Sequence, residues 1–151
     1  MTYSAIKIAN RLLEIAEESN GEIDPLKLIK LVYISHGWSF PVLGRALIND
    51  RIEAWQYGPV IPKLYHAIKK YRADPVTEKI EGDRDSSRIS KEDDDLLREV
   101  YSVYGKFSGG QLSNLTHKSG TPWDVTWNEN GKNSEISNDL IKQHYGRLAA
   151  R

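Results

Sequence analysis

Leu26-Lys27-Leu28-Ile29-Lys30-Leu31-Val32-Tyr33-Ile34 is the stretch on which the fold turns. Its apolar side chains fall on every side of a 3.6-residue period, and only Lys27 and Lys30, three apart, make a short polar stripe. A helix that is apolar all round has no face to give to water, so this one is predicted to run through the middle of the molecule. Asp24-Pro25 sets its start, because the carboxylate can cap free N–H groups and proline has no donor to waste at the first helical position. The same reading weakens the helix near Gly37 and ends it before Pro41.

Outward from this helix, residues 3–18 place Ala5, Ile8, Ala9, Leu12, Leu13 and Ala16 on one side, which is helical spacing, and Asn20-Gly21 stops it. On the other flank, Ala46 to Trp55 shifts toward period two, with Ile48, Ile52 and Ala54 on one face. A short β-hairpin turning at Asn49-Asp50 is predicted there. Tyr57-Gly58-Pro59-Val60-Ile61-Pro62 reads as irregular, given two prolines and a glycine in six residues. Further helices are expected over 62–72, from Ser90 to about Lys106, over 111–117, and after Ser137. Residues 73–90 are polar without an apolar period and read as a flexible loop. The segment carrying Thr121-Pro122-Trp123 and Trp127 reads as irregular. The fold class is therefore α+β and predominantly helical, one domain over 1–151 with a central buried helix and a small hairpin.

Composition narrows the function. The 151 residues carry 21 basic and 21 acidic side chains, for a formal charge of zero, and contain no cysteine. A thiolate nucleophile, a redox pair, a disulfide scaffold and a Cys-built zinc site are excluded. Zero net charge speaks against a generic phosphate-backbone binder. No apolar run approaches the roughly 18 residues of a membrane span, and the chain opens on a helical pattern where a leader would be basic and then apolar. A cytoplasmic protein with no membrane contact is the expectation.

Catalytic chemistry finds little support. His36, His66, His117 and His144 show no metal-ligand spacing, no phosphate-binding glycine loop is present, and neither Ser113 nor Thr116 lies in a nucleophile-elbow context. His36, at the end of an apolar helix, reads as a structural histidine, and Tyr33 and Trp38 read as core. No catalytic residue, metal or cofactor is expected. The aromatic residues say more. Trp55, Tyr57 and Tyr65 adjoin a stiff Gly58-Pro59 turn, and large amphipathic rings on rigid backbone are common interface anchors.

With these residues in view, a family resemblance emerges. Leu28 to Trp38, Gly44-Arg45-Ala46-Leu47, and Glu53-Ala54-Trp55-Gln56-Tyr57-Gly58-Pro59-Val60, followed by Leu115-Thr116-His117 and Pro122-Trp123, resemble the Panacea domain of SocA-like antitoxins, known also from phage-associated GepA proteins. The likeness covers about residues 4–145. It implies a bacterial or phage antitoxin that neutralises a cognate protein toxin by direct contact, and not an enzyme. In the SocA branch, members act as adaptors that deliver the toxin to the ClpXP protease. On this reading Trp55, Tyr57, Gly58, Pro59, Val60, Lys63 and Tyr65 bind the partner, while Lys27, His36, Glu53, His117 and Trp123 are second-tier residues that either touch it or play a supporting part. Two rival classes are a nucleic-acid-binding regulator using Lys63, Lys69, Lys70 and Arg72, and a hydrolase using His117 with Asp124.

Overall fold

A computed structural model describes residues 1–151. Seven α-helices and a three-stranded antiparallel sheet follow in the chain order α1 (Ala5–Glu18), α2 (Pro25–Leu43), β1 (Glu53–Trp55), β2 (Gly58–Val60), α3 (Pro62–Ile68), α4 (Lys91–Tyr104), α5 (Gly109–His117), α6 (Pro122–Asn130), β3 (Ser134–Glu135) and α7 (Asn138–Ala149). The α+β, predominantly helical class expected from sequence is the one observed. Helix α2 is the hub: it packs on α1, α4, α5 and α7 and buries Leu28, Ile29, Leu31, Val32, Tyr33 and Ile34. Asp24 caps it, its carboxylate accepting from the Lys27 N–H at 2.9 Å.

Three features of α2 depart from the sequence reading. The helix runs through Pro41 and stops at Gly44, whose φ of +74° suits a residue without Cβ. Pro41 sits in the closing turn, where only a few bonds remain to be made beyond it. Lys30 is not on a polar stripe; it is 0% exposed. Gly37 lies in mid-helix because α7 crosses there: a Cβ at this position would fall within 2.6 Å of three ring atoms of Tyr145. Alanine in an ordinary helix interior gains about 1 kcal/mol over glycine. Here Gly37→Ala is expected to lose about 2 kcal/mol net, because overpacking forces Tyr145 and α7 outward. Urea denaturation followed by circular dichroism measures it, and a stabilised variant would contradict the close approach.

The hairpin lies later in the chain than expected. Strand β1 pairs with β2 in the register Glu53↔Val60, Ala54↔Pro59 and Trp55↔Gly58, so the turn is Gln56-Tyr57 and not Asn49-Asp50. Strand β3 covers the other side of β1. Proline tolerates this sheet because β2 is an edge strand, where a missing N–H breaks no ladder bond. Residues 48–50 serve the N-terminus instead: Ile48 bridges Tyr3, and the Asp50 carboxylate accepts from the Ala5 N–H at 2.8 Å. The Thr121 segment, expected to be irregular, begins α6, with Thr121 as cap and Pro122 in the first turn.

Residues 73–90 contain no helix or strand, and they are strapped along α1. Val76 and Ile80 are buried, Asn10 exchanges two hydrogen bonds with the backbone of Ile80, and Ser4 bonds Asp83 and Asp85. Behind them Asp93 accepts from the Tyr3 hydroxyl at 2.5 Å and from Arg45 at 2.6 Å. Burial works against the Asp93 carboxylate, but these donors outweigh it and hold its pKa below the ordinary value. No helix is long and apolar enough to cross a membrane.

Candidate functional site

The Gln56-Tyr57 turn projects from the sheet, and four residues from outside the hairpin fix it. Lys30, on α2, donates from Nζ to the Pro59 carbonyl at 2.7 Å. Ser113, on α5, donates from its hydroxyl to the Tyr57 carbonyl. Trp123, on α6, donates from Nε1 to the Trp55 carbonyl at 2.6 Å. His117 packs its ring edge on Trp123 at 5.2 Å, and its Nδ1 faces the Ser113 carbonyl. Gly58 adopts φ +115°, and a Cβ there would lie 3.1 Å from Lys30 Nζ and 3.5 Å from His117 Cβ. A side chain at this position would be both strained and crowded.

Because Lys30 and Ser113 already occupy the Pro59 and Tyr57 carbonyls, a visiting strand would find those two acceptors taken. What the corner leaves open to solvent is side chain, Tyr57 above all. Tyr57 is 67% exposed, whereas Gly58 and Pro59 are buried and shape the turn from beneath. Trp55 is half-buried, meets Tyr65 edge-on at 5.0 Å, and donates from Nε1 to Glu53 at 2.9 Å. Glu53 also accepts from Arg51 at 2.8 Å. Beside the corner opens a groove of about 510 Å³ whose apolar walls include Leu26, Ile29, Trp55, Tyr57, Val60 and Tyr65. Lys69 and Arg72 stand exposed among its lining residues, Lys30 also lines it, and Lys63 is exposed in the first turn of α3.

Lys30 is the electrostatic exception of the fold. Its ammonium has one acceptor and no carboxylate partner, so burial pushes its pKa down to about 7.

Two of the second-tier residues lie away from the turn. Lys27 points away, donating from Nζ to the Gly105 carbonyl at 2.5 Å. His36 is buried on the far side of α2, where Nδ1 accepts from the Leu47 and Ile48 N–H groups at 3.3 and 3.2 Å and Nε2 donates to Asn138 at 2.9 Å. Two N–H donors on Nδ1 specify the neutral ring, and burial accordingly holds His36 below its ordinary pKa. The His117–Asp124 pair of the hydrolase reading is not assembled either. Asp124 accepts from the Gly120 N–H and the Asn128 amide, both at 2.9 Å. Sequence reasoning missed Lys30, Leu26 and Ser113 as parts of this site. Lys30 was visible only as a cation in an otherwise apolar helix, and nothing in the sequence singled out Leu26.

The family model described as "Antitoxin SocA-like, Panacea domain" matches residues 28–124, and the chain belongs to that family. The matched span runs from α2 through the hairpin to the start of α6, and so contains all three groups that bond the turn's carbonyls. Among individual proteins, Antitoxin SocA of Caulobacter vibrioides (strain NA1000 / CB15N) is 34% identical over 156 residues, covering 95% of this chain and 83% of that protein. No solved structure matches.

Proposed function

We propose that this chain neutralises a protein toxin by binding it directly through the Tyr57 corner and the adjoining groove. The observation that carries this reading is an aromatic side chain, 67% exposed, at the tip of a turn whose backbone is bonded from three separate helices. Exposed apolar area is normally scattered, and a stiff backbone beneath it lowers the ordering cost of binding. Trp55 and Tyr65 extend the aromatic surface into the groove, and Lys63 is exposed in the first turn of the neighbouring α3.

The test is co-expression with the toxic product of a neighbouring reading frame, together with a direct affinity measurement. Tyr57→Ala leaves the fold intact, because its ring touches water, and should weaken toxin binding by about 2 kcal/mol, roughly 30-fold, with loss of rescue. A folded Tyr57→Ala protein that binds and rescues like the parent would remove the corner from the interface.

A further inference from the structure

The groove carries information about what it binds, and this inference rests on the toxin-binding reading of the same face. No aspartate or glutamate lines it; the charged groups along it are Lys30, Lys69 and Arg72. Lys69 and Arg72 form no ion pair with a carboxylate of the chain, a state they share with other exposed cations but hold here beside an apolar wall. Arg72 also sits at φ +55°, a conformation in which glycine or asparagine would be at ease and a long side chain is not. Leu26 and Tyr57, which line the same groove, are 39% and 67% exposed.

We infer that the groove receives a segment of the toxin in which a leucine- or phenylalanine-sized side chain lies beside one or more carboxylates. The apolar group rests on Leu26, Trp55, Tyr57 and Tyr65, and the carboxylates meet Lys69 and Arg72. Charge complementarity selects the occupant: the groove offers unpaired positive charge at an apolar surface with no acid to satisfy it. A nucleic-acid strand fits less well, because the walls at Leu26, Ile29 and Val60 are aliphatic and the chain as a whole carries no excess of positive charge.

The probe is a random dodecapeptide library displayed on phage and panned over the full-length protein. Two double variants serve as controls, Lys69→Glu with Arg72→Glu and Leu26→Ser with Tyr57→Ser; all four residues are exposed, so the fold should survive. Enriched peptides are expected to combine Leu, Phe or Trp with Asp or Glu. Synthetic copies should bind the parent at least ten-fold more tightly than either double variant, and copies with Lys in place of the acids should prefer the charge-reversed protein. No enrichment, enrichment of basic or uncharged peptides, binding indifferent to either pair, or displacement by a single-stranded dodecanucleotide would each overturn the inference. The two readings fail separately. Toxin binding lost in Tyr57→Ala but unchanged by reversal of Lys69 and Arg72 refutes the acidic segment alone. Acidic peptides held in the groove while Tyr57→Ala still binds and rescues from the toxin refute the toxin interface alone.

Discussion

Trp123→Ala is expected to lower the unfolding free energy by about 4 kcal/mol, within the range for emptying a buried tryptophan site. The side chain is 8% exposed, stacks on Trp127 at 5.0 Å with ring planes 20° apart, and meets His117 edge-on. It also leaves behind the Trp55 carbonyl that its indole N–H satisfied. Trp123→Phe separates the two contributions, since it keeps most of the packing and loses the hydrogen bond; about 1–3 kcal/mol should go with the bond alone. Urea denaturation monitored by circular dichroism avoids the change in tryptophan fluorescence. A Trp123→Ala protein within 1 kcal/mol of the parent would mean that α6 does not brace the hairpin.

Lys30 gives the second large effect, and its sign is unusual. The folded pKa of about 7 lies below the ordinary lysine value of 10.5, so between these pH values the unfolded chain binds more protons than the folded one. Stability must therefore rise with pH across that window, and it is lowest where the buried amine is forced to be charged. From pH 7 to 9.5 the parent should gain about 3 kcal/mol relative to Lys30→Met, which keeps the bulk of the side chain and cannot titrate. Comparing the two proteins cancels the ionisation of surface groups common to both. Parallel stability curves would show that Lys30 reaches water. Buried His36, with its lowered pKa, acts in the same direction at lower pH: its neutral form favours the fold above the ordinary histidine value, and that stability is lost as pH falls below it.

How much of this was legible in the sequence depends on whether the deciding contact is local. Helix α1 and helix α4 follow from 3.6-residue spacing, and Asp24, Ser90 and Ser137 cap helices where the residue types indicate. Gly58 and Pro59 were read as breakers because those residues do interrupt central strands; at a sheet edge the same chemistry is permitted, and edge position depends on chain far away. Lys30 reads as surface by residue type, and only Pro59, 29 positions on, explains its burial. Thr121-Pro122 does hold a local start signal for α6, a capping hydroxyl followed by a proline in the first turn. The aromatic residues of the site were named from sequence. The groove beside them was not, because Leu26, Trp55 and Arg72 meet only after α2, the hairpin and the end of α3 converge.

Strand β3 and Trp123 reach the hairpin from positions about 70–80 residues farther along the chain. During synthesis, then, the aromatic corner and Lys30 are made well before the residues of α5, α6 and β3 that complete the bracing. At about 5–20 residues per second the wait lasts several seconds. For that interval the growing polypeptide can brace the turn from α2 alone, and the bonds to the Tyr57 and Trp55 carbonyls form only once α5 and α6 have been made.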